Sequence, residues 1–216
     1  MTHVGGVREP MNRETRLSVA LVAVFIPTYA TMLYLQAGFM VVGIVAGSMV
    51  AGFAIWLRTT VRRPPAPGAI LPAYLLALAL FLFHVVEEYA FGFAPRIAAA
   101  AHVHWTEAQF VAIIVLFGPA IWIAGAIGIY KRHPLGNFIA WFFFVGMIIG
   151  EPTHMLVFPL MEGGRYHYFP GMWTSLAPMV PAAYGIWRML ADDAAGKRAE
   201  RSAISSSSFS VASTVT

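Results

Sequence analysis

The chain has 216 residues, of which 59% are hydrophobic and 11% charged, and its mean hydropathy is +0.70. This composition excludes an ordinary soluble domain, and the absence of cysteine excludes disulfides, thiolate metal sites and cysteine nucleophiles. The net charge of +4 indicates basic loops beside anionic lipid rather than a nucleic-acid partner, and we expect no nucleic acid to bind.

Six apolar runs are close to the roughly 20 residues that cross a bilayer, and they predict six membrane-spanning helices. The runs cover residues 17–35, 38–57, 70–93, 108–130, 138–161 and 171–190. A polar segment, 1–16, precedes them, and we expect the first helix to be retained because no cleavage-site pattern follows it. The polar residues 191–216 predict a disordered tail. The predicted fold class is therefore all-α: a polytopic helical bundle with a single membrane domain at 17–190.

The distribution of Lys and Arg predicts the orientation of these helices. With both termini in the cytoplasm, twelve Lys and Arg residues face the cytoplasm, and only Arg96 and Arg165 face the opposite side. This bias follows the positive-inside rule. We expect a multi-pass protein of the cell membrane with both termini cytoplasmic.

Five ionisable residues lie well inside the predicted spans, where such groups are costly and mark functional sites. They are His84, Glu87, Glu88, Glu151 and His154. No Lys or Arg lies near the middle of a span, so each buried carboxylate must stay protonated or neutralise its charge on a metal. A hydrogen-bonded knot that only joins helices is the simpler explanation, but such bonds average well under about 1 kcal/mol.

Helix geometry predicts that these residues meet. The third and fifth spans run in the same direction, and His84 and Glu151 each lie roughly 20 Å from the cytoplasmic end, in the outer half of the bilayer. Residues three or four apart share a helix face, which groups His84 with Glu87 or Glu88, and Glu151 with His154. The pair in 151-EPTH-154 has the Glu-x-x-His spacing of di-iron and di-manganese carboxylate bundles.

The ligands of the predicted metal are His84, Glu87, Glu151 and His154. Iron, manganese or zinc suits such a set of nitrogen and oxygen donors. The candidate catalytic residues are Glu87, Glu88 and His167. His102 and His104 are two residues apart, and we expect them to be solvated at the interface.

Two motifs, 84-HVVEE-88 and 168-YFPG-171, together with a later membrane histidine, resemble the HXXEE-domain membrane proteins. The resemblance covers about residues 70–190 and excludes the first two helices. It implies functional roles for His84, Glu87 and Glu88, and it suggests His154 and His167 as the further histidines. Members of that family are generally described as proteins of unknown function, so the resemblance implies a functional site without a reaction.

Three hypotheses for the function follow. The first is a metal-dependent membrane enzyme, an oxidoreductase or a hydrolase, that acts on a lipid or isoprenoid substrate. The second is a metal-free isomerase or terpene-type cyclase, in which a protonated carboxyl in an apolar pocket donates its proton. The third is a proton-coupled transporter or ligand-binding membrane subunit. The sequence shows no internal repeat of the kind that many transporters have, which argues against this hypothesis.

Overall fold

The computed structural model describes residues 11–161 and 164–212, and this part of the chain is helical without a β-strand. Residues 1–10, 162–163 and 213–216 lie outside the described ranges. The helices are α1 (Arg13–Arg58), α2 (Pro67–Ala90), α3 (Phe93–Ala101), α4 (Glu107–Phe110), a π-helical segment (Val111–Phe117), α5 (Gly118–Tyr130), α6 (Pro134–Gly150), α7 (Thr153–Leu156), α8 (Phe158–Met161) and α9 (Leu176–Ala212).

Helix α1 folds back on itself at Gly38, whose φ of 76° breaks the helical geometry. In a straight helix Glu14 and Trp56 would lie about 63 Å apart. They instead contact the same end of α6: the Glu14 carboxylate lies 3.1 Å from the His133 ring, and the Trp56 and Phe138 rings lie 5.5 Å apart. The first arm, 13–37, and the second arm, 39–58, correspond to the first two predicted spans.

Helix α6 lies at the centre of the bundle and packs against α1, α5 and α9, while α2 packs against α9 and α5. Its apolar face carries large aromatic side chains, and Trp141, Phe143 and Phe144 are fully buried. The Tyr74 hydroxyl satisfies its hydrogen bond inside this core by donating to the Trp122 carbonyl at 2.9 Å. These contacts pack the first half of α2 against α5 and the middle of α6.

The fifth predicted span is interrupted near its end. Helix α6 ends at Gly150, a turn at 151–152 follows, and the short helices α7 and α8 continue the segment. Pro152 causes the interruption because its ring removes a backbone donor and clashes with the preceding helical turn. The turn presents Glu151 and His154 to the last turn of α2.

Within residues 11–161 and 164–212, four helices are long and apolar enough to cross a membrane: Arg13–Arg58, Pro67–Ala90, Glu107–Tyr130 and Pro134–Met161. They fit a membrane protein, and α9, which coincides with the sixth predicted span, is not among them. It crosses the bundle nonetheless, since it begins at Leu176 beside α2 and reaches Gly196, whose carbonyl accepts from Arg63 at 3.3 Å.

The segment after residue 190 is predicted from the sequence to be disordered, but it is helical, because α9 continues to Ala212. Two ion pairs one turn apart support the helix just after residue 190: Arg188 with Asp192 at 3.7 Å, and Lys197 with Asp193 at 2.6 Å. The last four residues of the chain lie outside the described ranges.

Candidate metal centre

The centre begins at the last turns of α2, where His84 and Glu88 are one helical turn apart. Both side chains are buried, and His84 is only 1% exposed. The His84 Nε2 atom lies 3.7 Å from Glu88 Oε1. This i, i+4 spacing puts both groups on the face that α2 turns toward α6.

The turn after α6 brings the second pair of side chains to the first. Glu151 Oε2 lies 3.1 Å from His84 Nε2, and His154 Nε2 lies 3.4 Å from Glu88 Oε1. The two imidazole rings are edge to face, with their centroids 4.6 Å apart. Donor atoms of His84, Glu88 and His154 all lie within 4.8 Å of one another, close enough to hold one metal ion. Glu151 adjoins this group through His84.

Glu87, the neighbour of Glu88, faces a different environment. Its carboxylate accepts hydrogen bonds from the segment that leads into α9: Tyr168 Oη at 2.8 Å, Trp173 N at 3.2 Å, and Thr174 N and Oγ1 at 2.9 and 2.6 Å. Four donors satisfy both oxygens. Glu87 therefore holds the 168–174 segment, which we call the capping loop, over the two histidines.

Tyr168 lies in this loop, outside the apolar helices. Burial and the hydrogen bond to Glu87 raise the pKa of its phenol above the usual range. The phenol is therefore protonated at neutral pH and continues to donate to the Glu87 carboxylate.

The capping loop determines which nitrogen of each histidine carries a proton. The His154 Nδ1–H donates to the Pro170 carbonyl at 2.8 Å. The Thr174 hydroxyl gives its one proton to Glu87, so at 3.0 Å it accepts from His84 Nδ1–H. Both neutral rings consequently present an Nε2 lone pair to the carboxylates, as metal-ligating histidines do.

Glu151 Oε2 is buried without a hydrogen-bond partner among the described residues. Its 3.1 Å approach to a lone pair on His84 is repulsive unless a proton or a cation lies between the two atoms. Donor atoms about 2.0–2.1 Å from a tetrahedral ion lie about 3.3–3.4 Å from one another. The His154 and His84 Nε2 atoms lie 3.4 and 3.7 Å from Glu88 Oε1, close to that distance, so His84, Glu88 and His154 fit a metal ion.

Gly171 lets the capping loop approach both rings. Its φ is +88°, and a Cβ atom there would lie 2.5 Å from His154 Nδ1 and 2.6 Å from His84 Cε1. Only glycine combines this backbone conformation with such a close approach.

Two of the four predicted ligands, His84 and His154, belong to the candidate metal-binding group of His84, Glu88 and His154, while Glu87 and Glu151 do not. Glu88 rather than Glu87 joins the histidines, because a residue four positions after His84 is nearer the line of the α2 face than one three positions after it. The structure does bring His84, Glu151 and His154 together with Glu88.

His167, His102 and His104 lie apart from this group. His167 is part of the polar turn before the capping loop, with Nδ1 2.6 Å from the Arg165 carbonyl. His102 and His104 are exposed between α3 and α4. Sequence reasoning missed Thr174 and the Pro170 carbonyl. The glycine of the YFPG turn, Gly171, is a signal of a positive φ in this loop.

The candidate metal-binding group, with Glu151 beside it, lies at one end of a cavity of about 500 Å³ that is otherwise lined mainly by apolar side chains. His84, Glu88, Glu151 and His154 all contribute to its wall. Small-molecule sites have this character, an apolar surface with a few convergent polar groups. Comparisons with protein-family models, curated proteins and solved structures find no match for this chain.

Proposed function

We propose that the protein is an integral-membrane, metal-dependent enzyme that acts on a lipophilic substrate. The observation that carries the proposal is the arrangement of His84, Glu88 and His154: their donor atoms lie within 4.8 Å of one another, and both imidazole Nε2 atoms face the Glu88 carboxylate, at the end of an apolar cavity. A divalent cation suits these donors, and it matches the charge of Glu88 and of the neighbouring Glu151.

In this proposal His84, Glu88 and His154 hold one ion, and Glu151 stands beside it. Two histidines and one carboxylate are a common catalytic ligand set, which leaves a coordination position for substrate or water. Zinc, iron and manganese all accept these donors. When bound, the ion would supply Lewis-acid chemistry, or redox chemistry if it is iron or manganese.

The chain's own groups would then orient and protect the reacting atoms. The Pro170 carbonyl and Thr174 hold the two rings in the tautomer and rotation that ligands need. Glu151, through its unpartnered Oε2, would take a proton from the reacting group and return it. The apolar walls exclude bulk water, which strengthens each electrostatic interaction at the site.

Metal analysis of the detergent-purified protein tests the proposal. We expect one equivalent of zinc, iron or manganese per chain, and its loss in His84→Ala, Glu88→Gln and His154→Ala. As a control, His102→Ala removes an exposed histidine and should retain the full equivalent. A wild-type protein that binds none of these metals stoichiometrically, even after their addition, would overturn the proposal.

A metal-free isomerase or terpene-type cyclase is the second candidate, and a specific observation favours it. The 3.1 Å separation of Glu151 Oε2 and His84 Nε2 also suits a carboxylic acid that donates O–H to the ring. In that case one carboxylic acid protonates the substrate and another group accepts a proton. Chelators would then leave activity unchanged, and one Glu→Gln change would abolish it while His154→Ala retains part.

We further propose that the chain crosses the cell membrane six times with both termini in the cytoplasm. Contacts at one end of the bundle support this arrangement, because Glu14, Arg63, His133 and Gly196 are joined there in pairs. The two arms of α1 and the crossing α9 supply the spans beyond the other three apolar helices. We also propose, on the HVVEE and YFPG motifs, that the chain is related to the HXXEE-domain proteins.

A further inference from the structure

The cavity follows one face of α6 for most of that helix. Its α6 wall includes Leu135, Phe138, Phe142, Gly146 and Gly150, which recur every three or four residues. From the first to the last of these the helix rises about 22 Å. The metal-binding group lies just beyond Gly150, so the cavity is a long channel with its polar groups at one end.

The other walls come from α1 and from the π-helical segment with α5. The second arm of α1 contributes Val41, Ile44 and Ser48, and the first arm adds Val22 and Leu33. The π-helical segment and α5 contribute Ile113, Ile114, Phe117, Ile121 and Trp122. These walls are hydrocarbon or aromatic along almost their whole length, which selects an apolar occupant.

The length of the channel indicates a long occupant. It follows α6 for about 22 Å and is lined along this length mainly by apolar side chains. A hydrocarbon chain with one polar end matches both the length and the position of the polar groups.

The channel also reaches the surface that faces lipid. Leu21, Phe25 and Phe117 line it and are 57%, 36% and 45% exposed. Between the first arm of α1 and the π-helical segment, the rings of Phe25, Tyr29 and Phe117 stack at centroid distances of 5.4 and 6.2 Å. A chain can enter from the bilayer by displacing these side chains without unfolding a helix.

We propose that the substrate is a single-chain lipid, acyl or isoprenoid, whose chain lies along α6 from Phe138 to Gly150. Its polar end then meets His84, Glu88, Glu151 and His154. The identification of this molecule as a substrate rests on the proposed enzymatic function, whereas the binding of the chain rests on the channel alone.

Gly146 is the position at which the channel can be closed. A Cβ atom there would meet only the Ser48 Cβ, at 4.0 Å, which is ordinary contact. Gly146→Ala should therefore fold normally and leave the channel open, while Gly146→Leu should fill it between the polar end and Phe142. Ser48→Leu closes the same level from the opposite wall.

Photolabelling tests the proposal without a measurement of activity. Purified protein in detergent is irradiated with hexadecanol that carries a mid-chain diazirine, and the labelled residues are mapped by mass spectrometry. We expect adducts on channel residues of α1 and α6. Gly146→Leu should reduce this labelling about tenfold or more, and Ser48→Leu serves the same purpose if Gly146→Leu does not fold. Gly146→Ala should leave the labelling unchanged. Unlabelled hexadecanol should compete if the chain is acyl, and geranylgeraniol if it is isoprenoid.

Two results would overturn the chain proposal: equal competition by cholesterol, or labelling of lipid-facing residues that Gly146→Leu does not reduce. Metal content, measured on the same preparations, separates this proposal from the enzymatic one. A labelled channel in a metal-free protein would support the chain-binding proposal and overturn the metal proposal. A metal-loaded protein without channel labelling would support the metal proposal and overturn the chain-binding proposal.

Discussion

Two adjacent glutamates of α2 occupy opposite environments, although one peptide bond separates them. The Glu87 carboxylate accepts four hydrogen bonds from the capping loop, and charge-assisted bonds of this kind are strong. Glu88 Oε1 instead lies between the Nε2 atoms of His84 and His154, at 3.7 and 3.4 Å. Glu87 is thus a positioning residue and Glu88 a candidate ligand.

The same substitution at the two glutamates should have different consequences. Glu88→Gln removes the charge that a cation needs, and we expect it to lose the bound metal. Glu87→Gln should retain the metal but lower the free energy of unfolding by about 1.5–3 kcal/mol, because it weakens hydrogen bonds to a charged group. Metal per chain and thermal unfolding in one detergent measure both effects. Loss of metal in Glu87→Gln, with its retention in Glu88→Gln, would make Glu87 the ligand.

Two glycines of the segment before α9 provide a matched test of the capping loop. Gly164 and Gly171 both have positive φ, +72° and +88°, so alanine at either position costs roughly 1–2 kcal/mol in backbone strain. Only at Gly171 would the Cβ atom also collide with His84 and His154. We expect Gly171→Ala to abolish metal binding and Gly164→Ala to preserve it, as judged by metal per chain in folded, monodisperse protein. Equal retention in both variants would show that the loop does not constrain the rings.

At the scale of elements, the interruptions of the helices position the site as much as the helices do. Gly38 reverses α1 so that both of its arms line the channel, and Pro152 ends the regular part of α6 where Glu151 and His154 must turn toward α2. The π-helical segment lies at the opening of the channel. Of the three, the turns at Gly38 and Pro152 redirect the chain, while the π-helical segment continues directly into α5.

The crossing of α5 and α6 depends on a contact between two glycine backbones. A Cβ atom on Gly136 would overlap the backbone of Gly128 and Ile129, which no side-chain rotation can relieve. We expect Gly136→Ala to destabilise the protein by about 1–3 kcal/mol or more. Gly43→Ala is the control, since nothing lies within 4 Å of its Cβ position and alanine favours a helix interior. Thermal unfolding of both variants measures the difference, and equal stabilities would refute the close crossing.

The sequence predicts the helical class and the approximate helices because long apolar runs reflect the length needed to cross a bilayer. It also predicts that His84 and Glu151 come together, since equal depth follows from residue number, and the two side chains lie 3.1 Å apart. It cannot choose between Glu87 and Glu88, because positions three and four residues after His84 both fall on its side of the helix. The capping loop has no periodicity, so its hydrogen bonds to Glu87 and the two histidines emerge only from the folded chain.

At the scale of the whole molecule, the bundle has a basic end and a site end. Glu14, His133, Arg63 and Gly196 meet at the first, and the capping loop covers the second. Because alternate connections lie at opposite ends, the even number of crossings that we propose places both termini on one side. The site would then lie nearer the extracytoplasmic face.

The cysteine-free chain allows this topology to be tested directly with single introduced cysteines. Cysteines in place of Ala66, Lys131 and Ala195 should react with a membrane-impermeant maleimide only after the cytoplasmic face is exposed. Cysteines in place of His104 and Tyr166 should react in intact cells. All five positions are exposed. Labelling of Lys131→Cys in intact cells would contradict both the six crossings and the orientation.

Metal-edge X-ray absorption on purified, metal-quantified protein would observe the proposed centre itself. We expect one ion per chain, coordinated by nitrogen and oxygen only, with nitrogen donors near 2.0–2.1 Å if it is zinc and with scattering from two imidazole rings. Replacing His154 by alanine should leave the signature of one imidazole or no ion. A preparation without a stoichiometric metal, or an ion without imidazole ligands, would refute the metal centre.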